Sequence, residues 1–163
     1  MRRLALLTIL VFALALPVAG LATTSDDGTL SVRNGYGLVK LNFSGSAVGR
    51  IAGGKVVATD PVLDDGAGLV FWGCDSKRTD LTATTTVCSG ENIRFRAIGG
   101  KYKLLVRGSG IFLSVVGRGV VTLDGSGDNP DVERDGVYSL NDQPYRSLPD
   151  EGKTIDLVAP AAG

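Results

Sequence analysis

The sequence contains no histidine, so any chemistry this chain performs must come from cations, carboxylates, hydroxyls or thiols. Ser-His-Asp and Cys-His nucleophilic sites and histidine metal centres are thereby excluded. Three constellations remain. Arg94, Arg96, Lys101, Lys103 and Arg107 share the polar phase of two adjacent alternating runs, NIRFRAI and KYKLLVR. If those runs pair as a hairpin through Gly99-Gly100, the cations form one stripe able to hold an anionic polymer, either a cell-wall phosphate polymer or an acidic polysaccharide. The plainer reading is a charged outer face that keeps the sheet soluble and blunts its edges, and the sequence favours it.

The second constellation is the acidic loop DGSGDNPDVERD, with oxygen-bearing side chains at Asp124, Ser126, Asp128, Asp131, Glu133 and Asp135. Asp124 to Asp135 has the span of an EF-hand calcium loop. However, Asn129 stands where such a loop needs glycine, the last ligand is Asp rather than Glu, and no helical pattern flanks the segment. A solvated acidic loop is the favoured reading: no cofactor is expected, and calcium on Asp124, Ser126, Asp128 and Asp135 is the alternative. The third constellation is Cys74 and Cys88, the only cysteines. They lie too far apart for a C-x-x-C redox motif, and in an exported chain they form a natural disulfide worth about 3 kcal/mol. Carboxylate-pair catalysis would need two acids facing each other across a cleft. The adjacent loop acids Asp64/Asp65 and Asp150/Glu151 supply the residue types but no evidence of a cleft.

The elements that must position these groups read as strands. Val39, Leu41 and Phe43 alternate with Lys40 and Asn42, and Ile93, Phe95 and Ala97 alternate with Arg94 and Arg96. This period of two marks half-buried strands. Residues 111–116 are apolar on both faces and read as a central buried strand. Trp72 and Phe71 are neighbours in the run LVFW, so in a strand they face opposite ways. Glycines, 23 in all, separate the runs as NG, GG, GSG and GRG and read as turns at which the chain reverses. The unit at residues 29–61 aligns with that at 92–125 at a shift of 63, pairing Arg33 with Arg96, Lys40 with Lys103 and Gly45 with Gly108. An internal duplication of four-to-five-strand units follows. The expected fold is all-β, an antiparallel sandwich or closed barrel, with a β-solenoid as the alternative.

Residues 1–22 have the form of a signal peptide: Arg2 and Arg3, an apolar run over 4–16, then Pro17 before small residues. Cleavage after Ala22 leaves a single domain over 23–163 with no transmembrane anchor; an uncleaved anchor is the alternative. The full chain carries 17 basic and 17 acidic residues. Without Arg2 and Arg3 the balance is 15 basic to 17 acidic, a net charge of −2, too near neutral for a global field that draws in nucleic acid.

The arrangement of a signal peptide, IRFRAIGGKYKLLVRGSGIFLSVVGRGVVTL and a following GVYSLND resembles that of uncharacterised secreted β-rich proteins of high-GC bacteria. The resemblance implies export and a β fold, and names no active residue. Together these features predict an exported, non-enzymatic binding or structural module of the cell envelope or extracellular space. Its expected partner is a cell-wall or extracellular polymer or another envelope protein. A secreted carboxylate-dependent hydrolase, such as a carbohydrate-active enzyme, is the alternative.

Overall fold

The computed structural model describes residues 26–61, 68–80, 82–126 and 135–160. They form seven strands in one antiparallel sheet: β1 (Gly28–Thr59), β2 (Gly68–Trp72), β3 (Ser76–Asp80), β4 (Thr85–Gly125), β5 (Val137–Leu140), β6 (Arg146–Ser147) and β7 (Lys153–Leu157). Two strands dominate, β1 with 32 residues and β4 with 41. They pair twice. Val39 lies opposite Val106 on one side and Leu123 on the other, and Arg50 lies between Arg94 and Phe112. The β1–β4 ribbon therefore winds back on itself until its two outer edges meet.

The winding produces two layers. Across the first, Lys77, Cys88, Val56, Val106, Val39, Leu123 and Lys153 stand in register, so the order is β3, β4, β1, β4, β1, β4, β7. Across the second, Phe71, Phe95, Gly49, Leu113, Val32, Tyr138 and Arg146 do the same, giving β2, β4, β1, β4, β1, β5, β6. The long strands alternate between the layers. Inward side chains of both layers, among them Val39, Leu41, Leu104 and Val106 of the first and Val32, Ile93, Phe95 and Leu113 of the second, join one hydrophobic cluster. This is a sandwich arrangement. The closed-barrel version of the expected fold is not formed: among the described residues each layer ends in edge strands, and the sheet does not close.

The glycine runs are corners rather than reversals. β1 and β4 continue through NG, GG, GSG and GRG with their ladders largely kept, which corrects the hairpin reading. Gly54 and Gly108, paired across the ladder, show why. Their φ angles are +140° and +152°. A Cβ on Gly54 would lie 2.8 Å from the Gly108 Cα and would strike the Arg107 carbonyl oxygen. A Cβ on Gly108 would strike the Gly53 carbonyl oxygen in return. Gly45 and Gly117 make the same reciprocal approach at +148° and +156°. Only a residue without a Cβ allows backbones to meet this closely while each strand bends. The shift of 63 that aligns the two sequence units relates Gly45 to Gly108 and Gly54 to Gly117.

At several corners the inward phase slips by one residue. It runs Ile93, Phe95, Ala97 and then Tyr102, Leu104, Val106 and then Ile111, Leu113, Val115. Each slip lets the next segment present its apolar side from the opposite layer. Gly108→Ala is expected to lower the unfolding free energy by about 3 kcal/mol, combining backbone strain with overpacking. Gly68→Ala, where an added Cβ meets nothing within 4 Å, should change it little. Urea denaturation of both variants checks this, and an equally mild effect at Gly108 would contradict it.

Candidate functional site

The outer face of the second layer gathers cations and rings from three strands. Trp72 of β2 lies opposite Arg94 of β4, Arg94 opposite Arg50 of β1, and Arg50 opposite Phe112 of a later β4 segment. The neighbouring row carries Val70, Arg96, Val48, Ser114 and Ser31. All of these except Val70 line a shallow groove of about 940 Å³ that also takes in Arg33. Its floor has apolar surface where a solvated sheet face would carry polar side chains. Trp72 is 48% exposed and Val48 53% exposed, while Phe112 is half-buried. Ile98 and Val116 extend the apolar surface on the same side. The groove has no carboxylate in its lining among the described residues.

Two of the four arginines are held by rings. The Arg50 guanidinium carbon sits 4.1 Å from the Phe112 ring centroid, and that of Arg33 sits 4.3 Å from the Tyr145 centroid. Tyr145 is in turn fixed by a 3.0 Å hydrogen bond between its hydroxyl and that of Ser31. Among the described residues, ion pairs join Arg118 to Asp26 and Asp27, and none involves Arg33, Arg50, Arg94 or Arg96. A guanidinium stacked on a ring keeps its N–H edge free for a planar anion, which it meets with two parallel hydrogen bonds. The face can therefore bind an anionic group and an apolar surface side by side.

Local structure explains the Trp72 placement. Phe71 turns inward, is buried, and packs on Phe95 with ring centroids 6.3 Å apart, so Trp72 points out as the alternation requires. Two residues later Cys74 is bonded to Cys88, with Cα atoms 5.3 Å apart, and Cys88 is fully buried in the inward row of the first layer. The expected disulfide is thus present. It fastens the end of β2, and with it Trp72, to the core. Inward at the centre of the second layer, the Phe95 ring occupies the space a side chain at Gly49 would need.

The predicted cationic stripe is divided. Its residues lie on one unbroken strand that bends at Gly99-Gly100, so no hairpin brings them together. Arg94 and Arg96 face outward on the second layer and join Arg50, Arg33, Trp72 and Phe112. Lys101, Lys103 and Arg107 belong to the first layer, where Lys103 lies between Asn42 and Thr59. Arg107 borders a second depression with Asp124, Asp150 and Tyr36. Sequence reasoning missed Arg33, Arg50, Trp72 and Phe112 as site residues. The outward phase of Trp72 beside an inward Phe71 was the signal that could have found the face.

Of the proposed calcium ligands, Ser126 donates to Asp135 Oδ1 at 2.9 Å, and Asp135 is buried, with no hydrogen-bond partner for Oδ2 among the described residues. Asp124 faces the second depression. Asp128, like Asp131 and Glu133, lies outside the described residues. Among those described, no three His, Cys, Asp or Glu side chains stand close enough together to hold a metal. Asp150 and Glu151 are exposed, and Asp64 and Asp65 lie outside the described residues, as do residues 1–22, where a signal peptide is expected. No described helix is long and apolar enough to cross a membrane. No protein-family model, curated protein or solved structure matches the chain.

Replacing both cysteines with alanine is expected to lower the unfolding free energy by about 3 kcal/mol. It should also red-shift the emission of Trp72, the chain's single tryptophan, as β2 loses its anchor. Denaturant titration followed by fluorescence checks both effects, and an unchanged midpoint would contradict the assignment.

Proposed function

We propose that this is an exported, non-catalytic binding module that holds an anionic polymer of the cell envelope or extracellular space on the arginine–aromatic face. The observation that carries the reading is the state of the arginines. Arg33 and Arg50 rest on rings instead of carboxylates, beside Arg94 and Arg96 on the same face. Solubility alone asks only for scattered charges of both signs. A single-sign cluster in an apolar groove, on a chain with no net positive charge, is a local device for an anion. The disulfide, the signal-like leader and the lack of a membrane-crossing helix among the described residues are compatible with work outside the cell. The groove lining, which among the described residues includes no Asp or Glu, favours binding over carboxylate catalysis.

Titration of the protein with dextran sulfate, followed by Trp72 emission, tests this reading. Binding should weaken as salt rises, and the Arg50→Ala/Arg94→Ala pair should weaken it at least about tenfold. Lys101→Ala/Lys103→Ala, on the other layer, should leave it within about twofold. Equal losses from the two pairs would refute the assignment of the face.

A further inference from the structure

The order of groups on this face points to a more specific ligand, an inference that rests on the anionic-polymer reading above. Across the strands the sequence of side chains is Trp72, Arg94, Arg50, Phe112, with Arg33 on the next β1 segment. Neighbouring strands lie about 4.8 Å apart, so Trp72 and Phe112 are separated by about 14 Å, with a cation at each intermediate strand. We infer that the face binds an acidic polysaccharide of uronate type, laid across the strands, with Trp72 as a sugar platform and Arg94, Arg50 and Arg33 as successive carboxylate subsites.

Three features support this choice. An indole nearly half exposed offers a flat apolar surface to the hydrophobic side of a pyranose ring, whereas a phosphodiester chain of open polyols has no such side. A sugar in a 1,4-linked chain advances by a distance close to the strand spacing, so the chain can set a carboxylate against the three of the five strands that carry Arg94, Arg50 and Arg33. The guanidiniums of Arg50 and Arg33 are already fixed by Phe112 and Tyr145, which reduces the ordering cost of meeting a rigid, regularly spaced anion. Val48 and Val70, in the adjacent row, leave apolar floor beside this line.

Oligogalacturonates from dimer to octamer, titrated calorimetrically and by Trp72 emission, provide the test. Affinity should rise at least about tenfold from dimer to pentamer and then level off, because the line from Trp72 to Arg33 crosses five strands. Methyl-esterified oligomers should lose at least about tenfold, as should the Trp72→Ala variant, with Trp72→Phe retaining part of the affinity. Trp72 is exposed, so neither substitution removes core packing. The inference is overturned if neutral or esterified oligomers bind as well as the acids. It is also overturned if affinity climbs steadily with length to the octamer, or if polyphosphate or a thymidine oligonucleotide binds more tightly than the pentamer. Dextran sulfate binding that depends on Arg50 and Arg94, without oligogalacturonate binding, removes this inference and keeps the broader reading. Loss of both removes both.

Discussion

The structure depends on the approach of one backbone to another at paired glycines. Gly54 against Gly108 and Gly45 against Gly117 leave no room for a Cβ on either partner. Because these positions bend without breaking the ladder, two long strands fold over into two layers, and most described segments of each are flanked by the other. The core follows from that geometry. Each corner where the phase slips hands the apolar side of the chain to the opposite layer, so Phe95 and Tyr102, only a few residues apart, both point inward. Most of the stabilising contacts are consequently between residues distant in sequence, and no hairpin-sized piece of β1 could bury its apolar face alone.

The same winding composes the outer face. A β1 segment lies between two β4 segments, so side chains that meet on the surface come from separate stretches: Arg94 and Phe112 from β4 with Arg50 between them from β1. The Cys74–Cys88 bond adds β2 and Trp72 to one end of this row. At the other end Tyr145, hydrogen-bonded to Ser31, cradles Arg33. Charge on this face is thereby concentrated in a chain that is close to neutral, and the rings keep it oriented. The first layer carries Lys40 and Lys103 on its outer side beside the half-buried Leu105, with no comparable ring partners among the described residues.

Much of the architecture was legible in the residues. Strict alternation in NIRFRAI placed Ile93, Phe95 and Ala97 inside and Arg94 and Arg96 outside, and the structure agrees. The opposite facings of Phe71 and Trp72 and the pairing of Cys74 with Cys88 also followed from local chemistry. The corners did not. A glycine doublet between alternating runs fits a reversal and a bend equally well, and the choice is made by a backbone contact with a segment tens of residues away. The segment at 111–116 is central as expected, yet Phe112 is only half-buried and Val116 is exposed, because the face they share is not covered by described residues. The union of Arg50 with Arg94 was likewise illegible, since register between distant strands leaves no mark on either one. The stripe legible along β4 thus runs across the strands in the fold.

Each glycine run is a bend through which the ladders persist. Nuclear Overhauser contacts between backbone protons of paired strands test it most directly. The winding predicts contacts from Arg50 to both Arg94 and Phe112, and from Val39 to both Val106 and Leu123. Contacts instead between residues 94–98 and 101–105, as a reversal at Gly99-Gly100 would give, with none linking Arg50 to either β4 segment, would contradict it.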